Sequence, residues 1–221
     1  FERALSLRRL GDMDGCERDL LAALELCQPD AWLYAVARKE LGVTHHARRA
    51  IDAARACYEA ALAAARTLAD QRLEALLIGN LGALAHDTGR FEEAAESYHQ
   101  ALELLRAVGD TRKEGLYLMN LGILEQEEGR HARASKHYRR ALTLAEEAGD
   151  RRYQAIVLGS LGVLAHETGD ADAALALHER ALTLLLQVGD AYSQALCRAR
   201  IAAALTATAA TEGGAEILAR A

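Results

Sequence analysis

From Ala75 to Gln194 the apolar, small and polar positions recur with a period of 40 residues. Leu81-Gly82, Leu121-Gly122 and Leu161-Gly162 mark the same place in three copies, followed by Gly89, Gly129 and Gly169. Ala94, Ala134 and Ala174 come next, then Ala101-Leu102, Ala141-Leu142 and Ala181-Leu182, and Gly109-Asp110, Gly149-Asp150 and Gly189-Asp190 close each copy. Each copy reads as two helices of about 16 to 18 residues, about 25 Å long. Glycine enters the left-handed region easily, so Gly89, Gly129 and Gly169 are expected to end the first helix of each pair, and Gly109, Gly149 and Gly189 the second. Asp70, Asp110, Asp150 and Asp190 are then placed to cap the next first helix. Glu74, Glu114, Gln154 and Gln194 lie four residues beyond each aspartate, one too many for a capping box unless the cap shifts. An internal repeat of this kind predicts a solenoid, in which length counts copies and not domains.

The flanks carry weaker copies. Residues 35–74 keep Leu41-Gly42, Ala54, Tyr58 and Ala61-Leu62, but Arg49 stands where the later copies have glycine. A left-handed arginine costs about 1 kcal/mol relative to glycine, so a different or strained turn is expected there. Residues 1–34 hold a partial copy if its spacing is 38, which sets Ala4 at the Gly82 position, Gly11 at Gly89 and Cys16 at Ala94. Gln28-Pro29-Asp30 is expected to break the helix and cap the next. Residues 195–221 begin a sixth copy in which Ile201-Ala202 replaces Leu-Gly and Glu212-Gly213-Gly214 interrupts, which reads equally as a capping helix or as a copy cut short. The copies therefore divide as 1–34, 35–74, 75–114, 115–154, 155–194 and 195–221 of one solenoid spanning 1–221, and the opening at Phe1 partway through a copy reads as a piece of a longer protein.

Small residues explain the recurrence. Gly82 and Ala94 are expected to face each other and let the paired helices approach, while Leu81, Tyr98 and Leu102 fill the remaining space. One pair cannot bury its apolar stripe alone and needs neighbours.

The run Leu-Gly, Gly seven on, Ala five further, Tyr four further and Ala three further resembles the tetratricopeptide repeat. Its small and large positions fall at Gly82, Ala94, Tyr98 and Ala101, then Gly122, Ala134, Tyr138 and Ala141, then Gly162, Ala174, His178 and Ala181. The period exceeds the family's usual 34, and the closing proline is missing. The longer form resembles Leu-Gly-Asn-type polarity adaptors and the sensor regions of bacterial regulators and signalling ATPases. The resemblance implies an all-α fold, a right-handed superhelix whose first helices line a concave groove.

On that resemblance the groove rows are Glu40, Asn80, Asn120, Ser160 and Arg200, then Val43, Ala83, Ile123, Val163 and Ala203. His46, His86, Gln126 and His166 make a third row, next to Ala47, Asp87, Glu127 and Glu167. Asn80 and Asn120 are the sharpest candidates, because mid-helix asparagine is not selected by propensity and its amide both donates and accepts. In related repeats this asparagine holds the backbone of a bound peptide. Ser160 matches in polarity, Ile123 and Val163 would supply apolar contact, and the acidic row Asp87, Glu127 and Glu167 would select partner charge.

Composition narrows the function. The net charge of −6 comes without a basic stripe, which argues against nucleic acid. The apolar runs are far short of the roughly 20 residues of a membrane span. The four cysteines lack C-x-x-C spacing and suit buried thiols in a reducing, cytoplasmic setting. His46, His86 and His166 recur, but neighbouring first helices sit about 8–10 Å apart, too far for one zinc ion to bind histidines two copies apart. No nucleophile elbow, phosphate loop or zincin motif is present. The expectation is a protein- or peptide-binding scaffold without cofactor, metal or catalysis. A sensor arm of a larger ATPase or transcription regulator, and a structural spacer, are the alternatives.

Overall fold

Left-handed residues punctuate the chain where the glycines predict them. Gly89, Gly109, Gly129, Gly149, Gly169 and Gly189 all have φ between 66° and 83°. The computed structural model describes residues 1–26 and 30–212, and among these it has eleven α-helices and no strand. The expected break at Gln28-Pro29, the thiol of Cys27 and the pair Gly213-Gly214 lie outside the described residues.

The chain forms two compact units, Phe1–Asp110 and from Thr111 onward. The first holds α1 (Glu2–Arg9), α2 (Met13–Leu26), α3 (Ala31–Ala47), α4 (Ile51–Thr67), α5 (Gln71–Asp87) and α6 (Phe91–Val108). The second holds α7 (Thr111–Glu127), α8 (His131–Glu147), α9 (Arg151–Glu167), α10 (Ala171–Val188) and α11 (Ala191–Glu212). Within each unit every helix packs on the next in sequence. The helix pairs begin at Ala31, Gln71, Thr111 and Arg151, so copy boundaries drawn at 35, 75, 115 and 155 fall one turn inside each first helix.

The tightest approaches inside a pair bring an aromatic ring onto the glycine, joined at Gly82 by Ser97 Cβ at 2.9 Å. A Cβ on Gly42 would lie 2.5 Å from Tyr58 Cε1, and one on Gly82 would lie 3.0 Å from Tyr98 Cε1. Tyr138 sits just as tightly on Gly122, and the His178 ring lies 2.5 Å from a Cβ on Gly162. The glycine is the floor beneath an aromatic ring sixteen residues later. The first copy obeys the same rule in reverse: Ala4 replaces the glycine, Leu20 replaces the ring, and both are fully buried in one cluster.

The turns differ between units. Arg49 adopts φ 61°, so the expected strain is real, and Ala69 joins it at φ 53° in the position of Gly109. Both turns keep the hydrogen bonds of their glycine counterparts, Ala50 N to His45 O and Asp70 N to Ala65 O. The surrounding helices therefore impose the left-handed residue.

Aspartate caps each first helix where a cap is seen. Asp30, Asp70, Asp150 and Asp190 accept the amides of Leu33, Leu73, Tyr153 and Ser193 at 2.9–3.0 Å. Gln154 and Gln194, in the row four residues beyond the aspartates, donate to the carbonyls of Ala145 and Leu185 near the end of the preceding helix, both at 3.0 Å. Asp170 caps α10 through the amide of Ala173, whereas α4, α6 and α8 begin without a side-chain cap.

The second oxygen of Asp70, Asp150 and Asp190, and Oδ2 of Asp110, join one copy to the next. Trp32 Nε1 donates to Asp70 Oδ2 at 3.3 Å, and Arg72 Nε donates to Asp110 Oδ2 at 2.7 Å. In the second unit Arg112 lies 3.8 Å from Asp150, and Arg152 lies 2.9 Å from Asp190.

Candidate partner-binding face

In the second unit, α7 and α9 present matching stripes. Leu116, Asn120, Ile123 and Glu127 lie three and four apart on α7, and Ile156, Ser160, Val163 and Glu167 repeat them on α9. Five of the predicted residues, Ile123, Ser160, Val163, Glu127 and Glu167, line one open hollow of about 340 Å³ with Gln126, Tyr138 and Arg200. Gln126 holds its wall. Its Nε2 donates to Glu167 Oε2 at 2.7 Å, and its Oε1 accepts the Tyr138 hydroxyl at 2.8 Å. Burial, reinforced by Glu167 and Glu127, pushes the Tyr138 phenol well above its ordinary pKa, so it stays a donor.

Asn120 sits one turn from Ile123 and is half-buried; Asn80 is half-buried at the matching place on α5, in the first unit. Among the described residues neither amide has a side-chain hydrogen bond. Ser160 donates to its own helix, to the carbonyl of Ile156 at 3.4 Å. Glu40, at the head of this row, is buried within 2.6 Å of Arg8 and 2.8 Å of Lys39. Burial alone would raise its pKa, but the two cations hold the carboxyl below its ordinary range.

The acidic row is partly committed to the scaffold. Asp87 Oδ2 lies 3.0 Å from His46 Nε2 and 3.6 Å from Arg49, and Glu167 accepts from Gln126. The His46–Asp87 and Gln126–Glu167 contacts link the third row of one copy to the acidic row of the next.

Two further hollows adjoin the apolar row one turn before Asn120 and Ser160. One, of about 300 Å³, lies at the starts of α7 and α9, lined by Arg112, Lys113, Leu116, Asp150, Arg152, Tyr153 and Ile156. The other, of about 220 Å³, lies between α9, α10 and α11 and includes Ile156, Ser160, Leu196, Cys197 and Arg200. Their shared apolar row was visible in sequence, since Leu76, Leu116, Ile156 and Leu196 recur at the same interval. Its signal is exposure: Ile156 is 41% and Leu196 44% accessible.

His178 occupies the ring position of the last complete copy and is 2% exposed. Burial, followed by the charges of Arg200 and His166, pushes its pKa down to about 4, so the imidazole is neutral. Its backbone carbonyl accepts the buried thiol of Cys197 at 3.0 Å.

The family profile of the Tetratricopeptide repeat matches residues 71–147 and, overlapping it, 114–187, together more than half of the chain. This chain belongs to the tetratricopeptide repeat family. The tetratricopeptide repeat fold accounts for the helix pairs and for the all-α solenoid class. Among solved structures, BtubC (BKLC) from P. vanneervenii is similar at 22% identity with a TM-score of 0.80, over 94% of this chain and 87% of that one. A signal transduction ATPase (STAND) protein with a tetratricopeptide repeat sensor, from Pyrococcus horikoshii, is similar at 17% identity and TM-score 0.80, over 93% of this chain but 32% of that one. Aspartyl phosphate phosphatase F from Bacillus subtilis gives 13% identity and TM-score 0.78, over 89% of this chain and 52% of that one. At these identities the likeness is one of fold. No curated protein matches this tetratricopeptide repeat sequence.

Proposed function

We propose that this chain binds a segment of a protein partner along the groove face of its first helices. The observation that carries this reading is the hollow of about 340 Å³ in the second unit, where Ile123 and Val163 offer apolar floor between polar walls of Ser160, Glu127, Glu167 and Arg200. The half-buried amides of Asn80 and Asn120 support it. They are not spent within the described scaffold and suit the alternating donors and acceptors of a peptide backbone. The walls are tied to one another by Gln126 and Tyr138, so binding orders little of the receptor. The partner is a protein, not nucleic acid or membrane, and the compartment is a reducing one such as the cytoplasm, which suits the buried free thiols Cys16, Cys57 and Cys197.

The test is affinity capture with the intact chain beside Asn80→Ala/Asn120→Ala, read by mass spectrometry after matching their circular dichroism. A partner lost only with the double variant supports the groove. A partner held equally by both moves the site to another face. Capture of nothing by either favours a spacer, or a sensor arm acting within a larger protein.

A further inference from the structure

The two hollows on α7 and α9 carry opposite charge. At the helix starts, Arg112, Lys113 and Arg152 outnumber Asp150 around Leu116 and Ile156. At the helix ends, Glu127 and Glu167 outnumber Arg200 around Ile123 and Val163. Both helices run from the basic hollow to the acidic one, so their macrodipoles, positive at the start and negative at the end, reinforce the side chains. The contacts of Arg112 with Asp150 and of Arg152 with Asp190 do not exhaust the basic end. Each guanidinium has five donors, and the aspartates are shared with helix caps.

Resting on the groove reading above, we infer that the segment bound along this face is a dipolar peptide. It places an acidic side chain in the hollow of Arg112 and Arg152, a basic one in the hollow of Glu127 and Glu167, and apolar side chains over Ile156, Ile123 and Val163 between them. The middles of the hollows are about 11 helical residues apart, roughly 16 Å. Extended chain covers that in about five residues. The charges at the two ends fix which way the segment runs, and such complementarity contributes more to orientation and specificity than to affinity.

The experiment probes an immobilised library of random twelve-residue peptides with the whole chain. Bound sequences are expected to carry Asp or Glu about five residues from Lys or Arg, in one order along the chain and not the other. Arg112→Gln/Arg152→Gln erases the acidic preference and weakens charged peptides about fivefold while the basic preference survives; Glu127→Gln/Glu167→Gln does the converse. All variants are first matched in helicity. Bound peptides without the spaced pair, with both orders equally, or with preferences that neither variant moves overturn the dipolar segment; if Ile123→Ser still abolishes their capture, the groove reading stands alone. A library from which nothing is retained overturns the groove reading and the dipolar segment with it.

Discussion

The two units break the same repeat in different places. The first departs at its turns, where Arg49 and Ala69 sit in left-handed conformations that glycine fills elsewhere. The second keeps glycine at Gly129, Gly149, Gly169 and Gly189 but departs in its core, where His178 replaces the tyrosine ring. A left-handed residue costs about 1 kcal/mol and is local. A ring on a glycine floor is a shape shared by two helices: His178 keeps a ring over Gly162, whereas in the first copy floor and filler change together, to Ala4 and Leu20.

The largest test breaks the shared shape. Gly122→Leu should drive a side chain into Tyr138 and cost about 3 kcal/mol or more, read by urea denaturation. Gly122→Ala with Tyr138→Leu copies the first-copy solution and should recover most of what Gly122→Ala alone loses.

Next comes the histidine. Its folded pKa of about 4 lies below the ordinary histidine value of 6.5, so the unfolded chain binds the proton more readily. The stability contributed by neutral His178 is present above about pH 6.5 and lost as pH falls toward about 4, to a total of about 3 kcal/mol. His178→Tyr should remove this acid sensitivity, seen as a smaller drop in melting temperature between about pH 7.5 and about pH 4.5.

Arg49→Gly and Ala69→Gly should each stabilise the first unit by about 1 kcal/mol, and Gly129→Ala should destabilise the second by a similar amount. The smallest effect belongs to the links between copies. Asp190→Ala loses cap and link together, about 1 kcal/mol, whereas Arg152→Ala loses an exposed ion pair worth about 0.5 kcal/mol.

Periodicity made the helices, their glycine ends and the aspartate caps legible, because each is set by residues within one turn of one another. Arg49 could be flagged because an arginine among glycines stands out; Ala69 could not, because alanine looks at home in a helix. Glu74, Glu114, Gln154 and Gln194 were legible as a row but not in their use, since the carbonyls that Gln154 and Gln194 reach belong to the preceding helix. Ile123, Ser160, Val163, Glu127 and Glu167 do share one hollow, yet the acidic row reads as free charge in sequence and as a partly occupied acceptor in the fold. The basic hollow is not legible in sequence because Arg112 and Leu116 look like an ordinary helix start until α9 is laid beside them.

The aspartate that caps a helix with one oxygen and receives the previous copy with the other has a consequence for how such a chain grows. A copy duplicated whole brings both halves of the link: an arginine for the copy after it and an aspartate for the copy before. Insertion or deletion in units of 40 leaves each interior half matched, while any other length strands a charge. Arrays of this design can change length by duplication without redesigning their joints, and only the terminal copies are left to adapt.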